Sequence, residues 1–177
     1  MSTEAVPCRS LGEYIVELVA RLEEGDGEAA QRLREVVGPR RAVVRLDDES
    51  VAIGFDTDGR LEVGPDESRV DGVGATDRQT VLDLQDGYVE VRDAILDGRL
   101  EVSGDTDAIA RMFVAIEILL DGSARIPALQ SLARDFRGDP CRPPRGRPVP
   151  PSRCGPWQPT GRDEREIALL ERLGLLP

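Results

Sequence analysis

The chain has 177 residues, and with 40% apolar and 32% charged side chains it can build one packed domain, with or without an appendage. Aromatic residues are only 3%, so most of the core must be Leu, Val, Ile and Ala. With 34 acids against 23 bases the net charge is −11, which argues against DNA or RNA as the main partner, because duplex binding rests on cationic neutralisation of phosphates.

The first predicted helix runs from about Leu11 to Glu24. Ser10 is placed to cap it, with Glu13 three residues on in capping-box spacing. Leu11, Ile15, Leu18, Val19 and Leu22 recur at helical spacing and give it one buried face. Gly25-Asp26-Gly27 ends it, and a second helix from Glu28 to Val37 stops at Gly38-Pro39. The period then drops to two. Ala42, Val44 and Leu46 alternate with Arg41, Val43 and Arg45, and Val51, Ile53 and Phe55 alternate with Ala52 and Gly54. Leu61 and Val63 follow Asp58-Gly59, a hairpin signal. The expectation is a three-stranded antiparallel meander with one apolar face, then a short strand around Gly72 to Ala75.

Thr76 or Asp77 caps the next helix, which reaches Gln85, and a shorter helix covers Val89 to Leu96. Asp97-Gly98 turns into a strand from Arg99 to Ser103, with Leu100 and Val102 facing inward. Gly104-Asp105-Thr106-Asp107 opens the strongest helix of the chain, with acids in its first turn. Ile109, Met112, Phe113, Ile116, Leu119 and Leu120 form a broad apolar stripe along it. After Asp121-Gly122 a last helix runs from Ile126 or Pro127 to Phe136, carrying Leu129, Leu132 and Phe136.

The composition breaks at Gly138. Residues 137–162 hold eight of the 13 prolines and six Arg against one Asp, a local +5 on an acidic protein. Such a stretch suits an extended arm and neither a helix nor a central strand. Asp163 to Leu173 then reads as an amphipathic helix with Ile167, Leu169, Leu170 and Leu173 to bury. The expected division is a folded body at 1–136, a Pro/Arg-rich arm at 137–162 and a terminal helix at 163–177.

Three residue types are missing, and their absence narrows the chemistry. Without His there is no Ser-His-Asp or Cys-His catalysis and no ordinary zinc site. All 23 bases are Arg, so neither a Schiff-base lysine nor a P-loop lysine exists. The joint loss of Lys and Asn matches the codon bias of a GC-rich bacterial genome. Gly72-Val73-Gly74 lacks the third glycine of a dinucleotide fingerprint. Asp56-Thr57-Asp58-Gly59 lacks the downstream bidentate Glu of a calcium loop. Asp83, Asp86, Glu90, Asp93 and Asp97 read as a solvated helix face. No metal and no cofactor is expected.

The chain starts Met1-Ser2-Thr3-Glu4, and its longest apolar run, Met112 to Leu120, is broken by Glu117. Neither a signal peptide nor a membrane span is expected. Three widely spaced thiols, Cys8, Cys141 and Cys154, point to a reducing cytoplasm, with a disulfide between Cys141 and Cys154 left open.

One stretch is more specific than any of these motifs. It runs Ala75-Thr76-Asp77-Arg78-Gln79-Thr80-Val81-Leu82-Asp83-Leu84, then Asp86-Gly87, and continues from Asp93-Ala94-Ile95-Leu96-Asp97-Gly98 through Arg99-Leu100-Glu101-Val102-Ser103-Gly104-Asp105. It resembles the sterol carrier protein 2 family, the sterol-binding domain. That family has a capped helix after a strand, a Gly-containing turn, a short helix ending in Gly, and a Leu-x-Val-x-Gly-Asp strand before a long helix. The preceding meander matches its strand order, and the resemblance spans roughly residues 10–136, with the arm and terminal helix as extras.

The resemblance implies an α+β fold: a five-stranded, mostly antiparallel sheet with helices on one face, enclosing an apolar tunnel without catalytic machinery. Residues on faces that would point between sheet and helices are Phe55, Leu84, Tyr88, Ile95, Met112, Phe113, Ile116 and Leu132. Tyr88 adds a hydroxyl to an apolar site, and Met112 can adapt to varied ligands. Trp157, between Pro156 and Pro159, either anchors the arm or covers a ligand. Three functions stay open. One is a carrier of a hydrophobic small molecule, lipid, sterol-like or polyketide-like. Another is a pocket enzyme of bacterial secondary metabolism, with Glu117 as its acid or base. The third is a protein-interaction module.

Overall fold

The structure is a computed structural model, and it describes residues 8–65 and 70–141. Residues 142–177, with most of the expected arm, the whole terminal helix, Cys154 and Trp157, lie outside the described residues. The chain divides into two units, Met1–Pro144 and Arg145–Pro177, and the elements below belong to the first.

Helix α1 spans Leu11–Gly25 and opens with the expected capping box. The Glu13 amide donates to Ser10 Oγ at 3.3 Å, and the Ser10 amide donates to Glu13 Oε2 at 2.6 Å. Asp26 caps α2 (Gly27–Val37) by accepting from the Ala29 amide at 2.9 Å. Strands β1 (Arg41–Leu46), β2 (Glu49–Phe55) and β3 (Leu61–Gly64) form the expected meander. In the β2–β3 turn one oxygen of Asp56 accepts from the Asp58 and Arg60 amides, and Gly59 takes the left-handed φ of +76° that the turn needs.

Strand β4 (Gly72–Thr76) lies parallel to β1, and β5 (Leu100–Gly104) lies antiparallel to β4, giving the order β3-β2-β1-β4-β5. Between β4 and β5 come α3 (Arg78–Gln85), capped by Asp77, and α4 (Val91–Leu96). Asp105 caps α5 (Thr106–Arg125), and α6 (Pro127–Gly138) carries Pro at its first position. Among the described residues the fold is thus α+β, a five-stranded and mostly antiparallel sheet with six helices.

Two expectations about elements change. Helix α5 does not stop at Gly122. It runs on to Arg125, and Gly122 inside it sits against Leu22, where a Cβ would stand 2.9 Å from Leu22 Cδ1. Gly122 is there for close approach between helices. The sheet also buries more than one face. Val44 and Leu46 meet the helices, and Val43 and its partner Ala52, which alternate with them, are fully buried as well.

The main core joins α1, α2 and α6 to Leu46, with Leu22 and Leu129 sealed inside, and a second cluster gathers Val91, Ala94 and Leu100. At the far end of α6, Arg78 is buried and donates to the carbonyls of Phe136 (2.7 Å) and Arg137 (2.6 Å), supplying donors to the end of a helix. A disulfide links Cys8 to Cys141. Cys141 is therefore engaged, which answers the Cys141–Cys154 pairing left open by the sequence: the segments just before α1 and just after α6 meet, because those helices pack together and the Tyr14 hydroxyl reaches Asp139 at 3.0 Å.

Candidate functional site: an apolar cavity under the helices

The strand residues Val44, Leu46, Ile53 and Phe55 share the sheet face turned to the helices, and above them the packing leaves a cavity of about 370 Å3. That volume lies within the range of small-molecule sites. Helix α1 brings Ile15, Leu18 and Val19 to its wall, α5 brings Met112, Ile116 and Leu119, and α6 brings Leu129, Leu132 and Phe136. Tyr14 and Phe136 meet edge to face, their centroids 5.2 Å apart.

Charge gathers where β1 and β4 begin. Arg40, Arg41, Asp71 and Arg111 belong to the wall there. Arg111 donates to Asp107 at 2.9 Å and to the Val36 carbonyl at 2.9 Å, and Arg40 pairs with the same Asp107. Asp107 is therefore held below the usual carboxylate range, by its hydrogen bond from Arg111 first and from Arg40 second. The Asp71 carboxylate accepts from the Arg41 amide at 2.9 Å.

Of the residues singled out in the sequence, Phe55, Leu84, Met112, Ile116 and Leu132 stand in this wall. Ile95 and Phe113 instead pack on the second cluster, with Val91, Ala94 and Leu100, and Phe113 also lines a second cavity together with Val89, Leu120 and Glu117. Tyr88 is 81% exposed and does not stand in this wall. The turn after α3 explains this: Gly87 takes φ +72°, the Tyr88 amide donates back to the Asp83 carbonyl, and the side chain is left in solvent. Glu117 is exposed on α5. Among the described residues no group of three His, Cys, Asp or Glu is placed to hold a metal ion, and no helix is long and apolar enough to cross a membrane.

Sequence reasoning missed Tyr14, Gln85, Arg40 and Arg111 as wall residues. Tyr14 lies three residues after Leu11, so its place on the buried stripe was open to view. The other three are polar, and hydrophobic periodicity carries no signal for them.

The meander, the capped α3, the short α4 and the β5–α5 junction follow one another in the order that the resemblance to the sterol carrier protein 2 family implies. Solved structures similar to this chain include the ubiquinone synthesis protein UbiJ-SCP2 (17% identity, 65% of this chain and 96% of that one, TM-score 0.47). A sterol carrier protein 2 from Yarrowia lipolytica, in its apo form, is 15% identical over 65% of this chain and 90% of its own, with a TM-score of 0.43. The sterol carrier protein domain 2 of Helicoverpa armigera is 14% identical over 71% and 98%, with a TM-score of 0.47. No family model matches the chain, and no curated protein matches it in sequence.

Proposed function

We propose that this protein binds a hydrophobic small molecule in the cavity between sheet and helices, by burial and without chemistry of its own. The observation that carries the reading is the cavity itself, about 370 Å3 walled by Leu, Val, Ile, Met and Phe. Each apolar Å2 that a ligand hides there contributes roughly 25 cal/mol. The enzymatic alternative rested on Glu117, which is exposed and lines the second cavity rather than this one, so it offers no acid or base to a molecule held here. The resemblance to sterol carrier proteins and the names of the similar structures favour a lipid-like ligand.

The test is titration with Nile red, a dye that brightens in apolar surroundings. Binding in the micromolar range, about −8 kcal/mol, is expected. Ile116→Trp fills the space while keeping it apolar, so it should fold and lose most of the dye. An Ile116→Trp variant that folds and binds like the parent would move the site elsewhere.

Two further parts of the reading are proposals. The binding domain is residues 1–136, with 137–162 an arm and 163–177 a helix; a chain cut after Pro144, which keeps Cys141, should still melt cooperatively and bind the dye. The cytoplasmic setting carries a condition, because a reducing compartment opens exposed disulfides. Maleimide trapping in intact cells should then find Cys8 and Cys141 as free thiols.

A further inference from the structure

We propose that the Cys8–Cys141 disulfide is a redox latch on the cavity: oxidised, it keeps a bound molecule in, and reduced by a dithiol it lets the molecule exchange. This rests on the binding reading above and adds its regulation. The bond ties the residues just before α1 to those just after α6. Leu11 and Tyr14 in the first turn of α1, and Phe136 in the last turn of α6, stand in the cavity wall, and all three are buried. Outward from them the chain is at once at the surface, since Cys8, Ser10, Pro140 and Cys141 are exposed. The seam between the two helix ends is thus a thin part of the wall, and the disulfide closes it from outside.

Beneath the bond the seam carries weaker links. The Tyr14 hydroxyl donates to Asp139 Oδ2 at 3.0 Å, the Cys141 amide donates to Asp139 Oδ1 at 2.9 Å, and the rings of Tyr14 and Phe136 meet edge to face. Contacts of this kind break and re-form in local openings of the native state, which a covalent bond does not. Each helix end is also anchored away from the seam. The Leu11 amide donates to Glu49 Oε2 on β2 at 2.6 Å, while Arg78 of α3 holds the carbonyls of Phe136 and Arg137, and Arg137 pairs with Asp86. Opening the disulfide therefore frees the seam and leaves both helices on their neighbours, so the fold persists while Tyr14 and Phe136 part.

The chemistry is thiol–disulfide exchange. A thiolate of the dithiol attacks one sulfur and expels the other as a thiolate, which takes a proton. The second thiol of the reductant then attacks the mixed disulfide and frees the remaining cysteine. Two electrons and two protons pass to Cys8 and Cys141, and the dithiol becomes a disulfide. Both cysteines are exposed, so the reductant has access. A reducing compartment holds the latch open, and an oxidising one shuts it.

The experiment uses the full chain with Cys154→Ser, which removes the third thiol from exchange. The reduced protein is loaded with Nile red and one half is oxidised with diamide. Both halves are mixed in a stopped flow with excess phosphatidylcholine vesicles that quench the dye by energy transfer. Release should be at least about fivefold faster from the reduced form, the effect of a modest local opening. The circular dichroism spectrum should stay native, and reoxidation should restore slow release. Bridging the two reduced thiols with dichloroacetone should give slow release that dithiothreitol no longer alters. Equal release from the two forms, with both thiols titrating as free in the reduced one, overturns the proposal. A bridged protein that releases as fast as the reduced one overturns it too, and so does loss of the native spectrum on reduction, which would make the bond a plain structural staple. If neither redox form takes up Nile red, the binding reading itself fails, and that result is distinct from a dye that binds and leaves both forms at one rate.

Discussion

Leu22 and Gly122 touch through a gap that admits no side chain, and between them they set how close α1 comes to α5. Leu22 is fully buried, and a Cβ on Gly122 would stand 2.9 Å from its Cδ1 and 3.4 Å from Leu129 Cδ1. Overfilled cores lose about 1–3 kcal/mol. Gly122→Val should therefore lower the unfolding free energy in urea by about that amount, and an unchanged midpoint would show that the helices simply move apart. The same pair shows the limit of reading a chain residue by residue. Asp121-Gly122 has the sequence of a helix stop, and only the neighbour across the core turns it into a helix interior. Tyr88 makes the reverse case: an aromatic residue beside apolar ones reads as buried, yet the turn made by Gly87 leaves it in solvent.

The elements were legible where their causes are local. The Ser10 capping box, the Asp77 and Asp105 caps, the Asp58-Gly59 turn and the period-two strands are written within a few residues, and they appear at the expected places. The parallel pairing of β1 with β4 has no local signature. The cavity wall was legible only on its apolar side, since period picks out Met112 and Ile116 but gives no sign of Gln85 or Arg111.

The caps also set a pH dependence. Glu13 is held below its ordinary value by hydrogen bonds from Ser10, and Asp26 by the Ala29 amide first, with Arg125 helping. A carboxyl lowered on folding stabilises the native state fully above its unfolded pKa, and that contribution is lost as pH falls through the lowered value. Stability should thus be flat above about pH 5 and decline from about pH 4 downward. Asp26→Asn keeps the cap oxygen but cannot ionise, so its melting temperature should fall less steeply between pH 5 and 2. Parallel acid limbs in the two proteins would remove Asp26 from the account.

For the whole molecule, the Cys8–Cys141 bond spans a sequence separation of 133 residues. It was the least legible feature, because thiols so far apart meet only through the packing of α1 on α6. Closing so long a loop restricts the unfolded chain, and such bonds typically contribute about 2–4 kcal/mol. Reduction with a phosphine, or Cys8→Ser with Cys141→Ser, should lower the urea midpoint accordingly while the native circular dichroism persists. An unchanged midpoint would mean that the unfolded chain gains nothing from its release.

That bond also changes what kind of object the folded body is. Every described helix and strand lies between its two sulfurs, so the backbone from Cys8 to Cys141 is a closed ring. A ring cut once does not fall into pieces. A protease that nicks the β2–β3 turn leaves both halves joined at the sulfurs, and they part only when the disulfide is reduced as well.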